Sequence, residues 1–363
     1  MRACLDCLPC LARNATELAR RSARGDATLE GRIAAEGMRI LGAAAEAGYA
    51  LPPPCYARQL IDNALAMCGG AVPDPWAEEK KRSTELALKL MERMDEIPGW
   101  ENNPEAARVP LPRTAPSLRG SGTLAASLSD FEKRLRLAIA GNILDFSIYA
   151  DLDIAAAMET MKEAFTKPIC GTRVREATGV SLPRNGAHLR GSGTLAASSA
   201  DAQERVPPGE IVVELKRRMD EAKSILWIFD NCGEAVFDRL LMEPYREKIT
   251  LAVRGKPAFN DMTRAELAES GYPEGYAAGG VVSNDDGVPG VVDATCGAAF
   301  RAAFASADLI IAKGQANFET MSARTDKPIA FLFLAKCPVV CRAVGAEPKT
   351  IQVLLHGCED VVK

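Results

Sequence analysis

Five short apolar runs in the second half of the chain, Ile225–Phe229, Ile249–Val253, Leu309–Ala312, Ile329–Leu334 and Ile351–Leu355, constrain the fold more than any other feature. A charged helical segment, Ile211–Ala222, leads into the first run, and helix-like segments Glu234–Leu241, Arg264–Glu269 and Cys296–Ala305 lie between the others. Apolar strands alternating with helices predict a parallel sheet covered on both faces, since a strand buried on two sides has no polar face to show. The fold class is α/β: a three-layer α/β/α domain with a parallel, Rossmann-like sheet over residues 207–363. Such sheets bind ligands beyond the carboxyl ends of their strands, so any site is sought just after each run.

The first half has a helical period instead. Between Ala77 and Ile97, Leu86, Leu88, Leu90, Met91 and Met94 fall largely on one face, with charges elsewhere. Leu11–Arg24, Arg32–Ala47 and Ala57–Met67 read the same way, separated by breakers such as Pro52-Pro53-Pro54. Residues 1–170 are taken as a helical N-terminal region. Two stretches fit neither pattern: Leu111–Ser127 (LPRTAPSLRGSGTLAAS) and Leu182–Ser198 (LPRNGAHLRGSGTLAAS) agree at thirteen of seventeen positions. Their composition buries little, so they read as inserted loops, near 105–129 and over 171–206. A phosphate-cradling Gly-Ser-Gly loop is the other reading, without the preceding strand that a P-loop requires.

Composition narrows the partner. In 363 residues, 44 Lys and Arg stand against 48 Asp and Glu. With no basic block, that balance gives no footprint for nucleic acid. The longest apolar run, Ile329–Ala335, is far short of the ~20 residues a membrane helix needs. Asp6 and Arg13 interrupt the opening MRACLDCLPCLARN, against a signal peptide, and the expected location is the cytosol. A small molecule is the expected partner, and the sequence does not fix the oligomeric state. With only His188 and His356 available, oxygen ligands, lysines and carboxylates must carry the chemistry.

The strand ends supply them. Asp230 and Asn231 follow the first run and precede a helix, where they offer two oxygen ligands for a hard divalent cation; equally, either could cap that helix. Asp261 follows the second run, beside the first in a parallel sheet, as a third oxygen ligand, with Arg254 and Lys256 near the same rim or as ordinary solvated charges. Lys313 and Gly314 follow the third, in the block KGQAN that also holds Asn317, and Lys336 follows the fourth; Arg254, Lys256, Gly314 and Asn317 are the candidate substrate contacts at this rim. A cation held by oxygens with Lys313 and Lys336 opposite suits phosphoryl displacement. Asn142 and Asp145, three apart in the apolar stretch RLAIAGNILDF, point into the cleft or are satisfied within their helix. At the start, Cys4, Cys7 and Cys10 form two overlapping CxxC spacings, suited to a second metal or to redox exchange, or else to plain structural thiols.

The blocks CLDCLPC, RLAIAGNILDF, LWIFDNCGEAVFD, VRGKPAFNDMT, ADLIIAKGQANFE and FLAKCPV together resemble the damage-control phosphatase family, metal-dependent phosphatases also described as acidic-residue methyltransferase-like, and the CxxC start resembles its prokaryotic subgroup. The resemblance implies one divalent cation (Mn²⁺, Ni²⁺, Co²⁺ or Mg²⁺) held by Asp230, Asn231 and Asp261, phosphate contacts from Lys313 and Lys336, and a cleft lined by Asn142 and Asp145. It also implies hydrolysis of small phosphometabolites, sugar phosphates or nucleotide-related esters. Attack by Asp230 itself is the rival route. An S-adenosylmethionine-dependent carboxyl methyltransferase and a non-catalytic metal- or metabolite-binding protein are the other readings; the first lacks the Gly-rich turn expected after the first strand.

Overall fold

The structure, a computed structural model, describes residues 1–69, 74–97, 100, 124–144, 154–174, 203–324 and 326–357. Asp145, all of Leu182–Ser198 and residues 111–123 of the first repeated stretch lie outside the described residues. Helices α1 (Leu8–Ala23), α2 (Ala27–Glu46), α3 (Pro53–Met67), α4 (Ala77–Met91), α5 (Leu124–Ala140) and α6 (Ile154–Thr166) come first, followed by strands β1 (Ile169–Val174) and β2 (Gln203–Val206). Then come α7 (Pro208–Glu221), β3 (Ile225–Ile228), α8 (Cys232–Met242), β4 (Ile249–Val253), β5 (Val281–Ser283), α9 (Ala298–Ser306), β6 (Leu309–Lys313), α10 (Gln315–Met321), β7 (Ile329–Leu334), α11 (Pro338–Val344) and β8 (Ile351–His356). Local chemistry sets several starts: the Asp26 carboxylate accepts from the Thr28 and Leu29 amides to cap α2, and prolines open α3 and α7 where no amide hydrogen is needed. Both expected inserts end in regular structure, since Leu124 already belongs to α5, and β1 pairs with β2 across the second.

One eight-stranded sheet has the order β2-β1-β8-β7-β6-β3-β4-β5. From β7 through β6, β3 and β4 to β5 every pairing is parallel, as is β1 with β8, but β8 runs antiparallel to β7 and β2 antiparallel to β1. The parallel sheet expected is found from β7 to β5, and the antiparallel pairings of β8 with β7 and of β2 with β1 make the whole sheet mixed. The antiparallel step lies at the β7–α11–β8 connection, where Leu334 at the end of β7 pairs with Ile351 at the start of β8. The chain therefore turns at Gly345, left-handed at φ 62°, and re-enters from the end it left.

Alternation along the strands divides the interior. Trp227, Leu251, Ile311 and Leu332 face a core shared with α4–α8, while Leu226, Ala252, Ile310 and Phe331 face α9, α10 and α11. These are the three layers expected. Helices α1–α3 close on a smaller core of their own, including Leu11, Leu18, Ile33, Leu60 and Ile61. Among the described residues no helix is long and apolar enough to cross a membrane.

The sheet order reverses between β3 and β6. From β3 the chain moves outward to β4 and β5, then returns to place β6 on the other side of β3. At such a point the two loops diverge and leave a crevice at the carboxyl ends.

Candidate active site

A cavity of about 630 Å³ opens at that crevice. Asp230, Asn231 and Asp261 line it together with Asn142, Lys336 and the starts of α1, α3 and α10. Backbone pairing brings the three together. Asn231 and Asp261 form an antiparallel bridge, the Met262 amide donates to Asp230 O at 2.8 Å, and the Cys232 amide donates to Asn260 O at 3.0 Å. All three side chains are buried, between 4% and 8% exposed. Asn231 occupies the N-cap of α8, yet no side-chain cap hydrogen bond forms there. Its Nδ2 instead donates to Asp230 Oδ2 at 3.1 Å, so helix capping does not account for the pair.

Neighbouring donors fix both carboxylates. Asn142 Nδ2 donates to Asp230 Oδ2 at 2.9 Å and to Glu234 Oε2 at 2.5 Å, tying the turn after α5 to the first turn of α8. Asn142 thus takes the cleft-facing alternative. Arg254 Nε donates to Asp261 Oδ2 at 2.7 Å, and the same guanidinium reaches Gly290 O at 2.8 Å and Asn317 Oδ1 at 3.3 Å. Gly314 packs its backbone against the Asp230 carboxylate, which a Cβ there would overlap.

Several expected substrate contacts sit elsewhere. Lys313 is fully buried and outside the cavity wall: its Nζ pairs with Glu234, with Asp238 Oδ1 at 2.7 Å and with Ala138 O at 2.9 Å. Strand alternation is the reason, for Lys313 lies two residues beyond Ile311 and points to the same α5–α8 face. Burial disfavours its charge, but the Asp238 and Glu234 carboxylates outweigh this and raise its pKa. Asp238 is driven up by burial first and by the Glu234 charge, against the pull of Lys313. Arg254 and Asn317 are likewise buried behind the wall, Asn317 Nδ2 donating to Lys313 O at 2.6 Å and Phe229 O at 3.3 Å; both hold the strand ends. Lys256 is exposed and does not line the cavity. Lys336 does, its Nζ donating to Asn142 O at 2.5 Å.

Sequence reasoning passed over Asn260, Glu234 and Glu319. Asn260 is 4% exposed in the cavity wall, and its Nδ2 has no hydrogen-bond partner among the described residues. Its place one residue before Asp261, in a strand-end loop, was the available signal. Glu319, one turn into α10, also lines the cavity, burial pushing its carboxyl up to about 7. Cys7 and Cys10 lie in the same wall, and Cys4 Sγ sits 3.8 Å from Cys7 Sγ.

Among the described residues no group of three His, Cys, Asp or Glu side chains could hold a metal. A cation at this corner would need the Asn231 amide oxygen beside the two carboxylates. That all-oxygen set fits a hard divalent ion that keeps water or substrate oxygens in its remaining positions, and the unpartnered Asn260 Nδ2 beside it is a donor suited to one of those oxygens.

Residues 3–351 match the damage-control phosphatase ARMT1-like domain. A damage-control phosphatase of Pyrococcus horikoshii is 33% identical over 233 residues, 63% of this chain and 66% of that protein's length, just under two thirds. A damage-control phosphatase of Archaeoglobus fulgidus is 38% identical over 124 residues, 33% of this chain and 42% of its own. An uncharacterised protein of Methanocaldococcus jannaschii is 25% identical over 286 residues, 76% of this chain and 71% of its own. In fold, the chain is similar to a crystal structure of a DUF89 family protein from Pyrococcus horikoshii, with TM-score 0.69 and 24% identity, covering 98% of this chain and 99% of that one.

Proposed function

Because the chain belongs to the damage-control phosphatase ARMT1-like family, we propose that it is a metal-dependent phosphatase that hydrolyses small phosphate monoesters, sugar phosphates or nucleotide-related compounds, in the cavity at the β3–β6 crevice. One observation carries the reading: buried oxygen donors from Asp230, Asn231 and Asp261, supplied by two adjacent strand ends, line a single cavity of about 630 Å³. That volume suits a small metabolite rather than a polymer. The two relatives named damage-control phosphatases support the same activity.

Asp230, Asn231 and Asp261 would hold a divalent cation, of which Mn²⁺, Ni²⁺, Co²⁺ and Mg²⁺ are the choices to assay. Bound there, such an ion neutralises phosphoryl oxygens and lowers the pKa of a bound water. The chain's own groups do the rest. Asn142 and Arg254 clamp the two carboxylates through their Oδ2 atoms, so the donors need not reorganise. Lys336 reaches the cavity from the β7–α11 loop and can pair with a phosphate oxygen opposite the acidic corner. The Asn260 amide offers a neutral donor to the same group. Residues of α1, α3 and α10 form the opposing wall of the cavity.

The test is phosphate release from a panel of sugar and nucleoside monophosphates with each metal, repeated with chelator and with Asp230→Ala. The expected outcome is metal-dependent turnover that chelator abolishes and the substitution lowers by about 10²-fold or more. Turnover that persists in the variant overturns the ligand assignment. S-adenosylmethionine binding without phosphate release would point to methyl transfer instead.

A further inference from the structure

The oxygen-donor corner makes no use of the opening cysteines, whose spacing suits a metal or a redox role. Geometry separates the two. No third His, Cys, Asp or Glu joins Cys4 and Cys7 in a metal-holding group among the described residues, so thiolate-bound zinc lacks its ligands. The turn Leu5–Cys7 folds the chain back on itself, the Cys7 amide donating to Cys4 O at 2.9 Å, and leaves the two Sγ atoms 3.8 Å apart. The Ala3 amide donates to Leu51 O at 2.9 Å and holds the backbone just before the turn, and Asp6 forms an exposed ion pair with Arg342 of α11. Cys4 is half-buried while Leu5 beside it is 69% exposed, so the turn is open to solvent on one side. On the other side Cys7 lines the cavity that holds Asp230 and Asp261.

We propose that Cys4 and Cys7 are a dithiol–disulfide site, with Cys7 in the cavity wall and Cys4 behind it, that exchanges with small-molecule disulfides. The Cys4 thiolate attacks one sulfur of a disulfide RSSR, the RS–SR bond breaks, and the departing RS⁻ takes up a proton. Cys7 then gives its proton to solvent and attacks the Cys4 sulfur of the mixed disulfide, expelling the second RS⁻, which is protonated in turn. Two protein thiols lose two electrons and one RSSR becomes two RSH. Burial pushes the Cys7 thiol up to about 12, which leaves the first attack to Cys4. Closure moves the sulfurs from contact to roughly 2.05 Å, a small shift within an anchored turn.

Tryptic cleavage after Arg2 and Arg13 isolates Ala3–Arg13, which holds Cys4, Cys7 and Cys10 and no other cysteine. The full chain is treated with oxidised glutathione, unfolded, labelled with N-ethylmaleimide and mapped. The proposal predicts an Ala3–Arg13 peptide lighter by two hydrogens and carrying one maleimide, on Cys10, with all three labelled after dithiothreitol. In Cys7→Ser the same treatment should strand one glutathione on Cys4. Three labelled cysteines after oxidation would overturn it, as would a bridge from Cys7 to Cys10 or to Cys337, or wild-type protein that stops at the mixed disulfide. None of these outcomes depends on phosphatase activity, so the two readings fail separately.

Discussion

At Gly314 the backbone turns with φ +77° and lies against the Asp230 carboxylate, so a side chain there is excluded twice, by conformation and by space. Gly314→Ala should therefore displace Asp230 and weaken Mn²⁺ binding, measured by calorimetry, with the fold retained by circular dichroism. Lys313 and Lys336 look alike in the sequence, each at a strand end, and the structure gives them opposite consequences. Lys313→Met leaves Glu234 and Asp238 buried without their cation, which should cost roughly 3–5 kcal/mol in urea unfolding. Lys336→Ala removes the hydrogen bond to Asn142 O and should cost only about 0.5–1.5 kcal/mol while lowering phosphate release roughly 10- to 100-fold. If the two variants behave alike in both assays, the division of roles is wrong. The sequence could place both residues at the rim but could not orient them, since orientation depends on strand phase, and one residue of phase reverses a side chain.

At the scale of elements, the apolar runs marked β3, β4, β6, β7 and β8 because each is buried on both faces. The same runs were silent on direction, so the antiparallel pairing of β7 with β8 could not be read from them. Strands β1 and β2 escaped notice: Thr172, Arg173, Glu204 and Arg205 give them no apolar run, and they flank the second repeated stretch. Of the site, Asp230, Asn231, Asp261 and Asn142 were legible because polar residues at strand ends or in an apolar stretch need a reason. Glu234 and Asp238 were not, since on sequence they resemble the exposed face of any helix. Strand β8 also carries a pH dependence. His356 is 3% exposed, its ring edge-on to Phe331 at 4.9 Å, and burial pushes its pKa from 6.5 down to about 4. The unfolded chain therefore takes up this proton near pH 6.5 and the folded chain only near pH 4. Stability attributable to this residue is intact above about pH 6.5 and falls as pH drops through that window, by up to ~3 kcal/mol. Unfolding at pH 7.5 and 4.5 should show a smaller loss in His356→Phe than in the wild type; an equal loss would remove His356 from the account.

For the molecule as a whole, the α/β sandwich supplies the charged corner and α1–α3, with a core of their own, supply an opposing surface. Within the described residues this smaller core meets the sandwich through few side chains, Ala258 and Phe259 among them, so it can open at lower cost than the central strands. Amide exchange in α1 and α3 should accordingly be faster than in β3 and β6, and Mn²⁺ with inorganic phosphate should slow it at the start of α1; no change there would mean that this wall is not part of the binding cavity. The central claim, that oxygen donors at positions 230, 231 and 261 share one cation, is tested most directly by anomalous diffraction from a Mn²⁺-soaked crystal. The account predicts a single strong peak within about 2.0–2.6 Å of Asp230, Asn231 and Asp261 oxygens. A peak elsewhere, or one touching only one of the three, would contradict it.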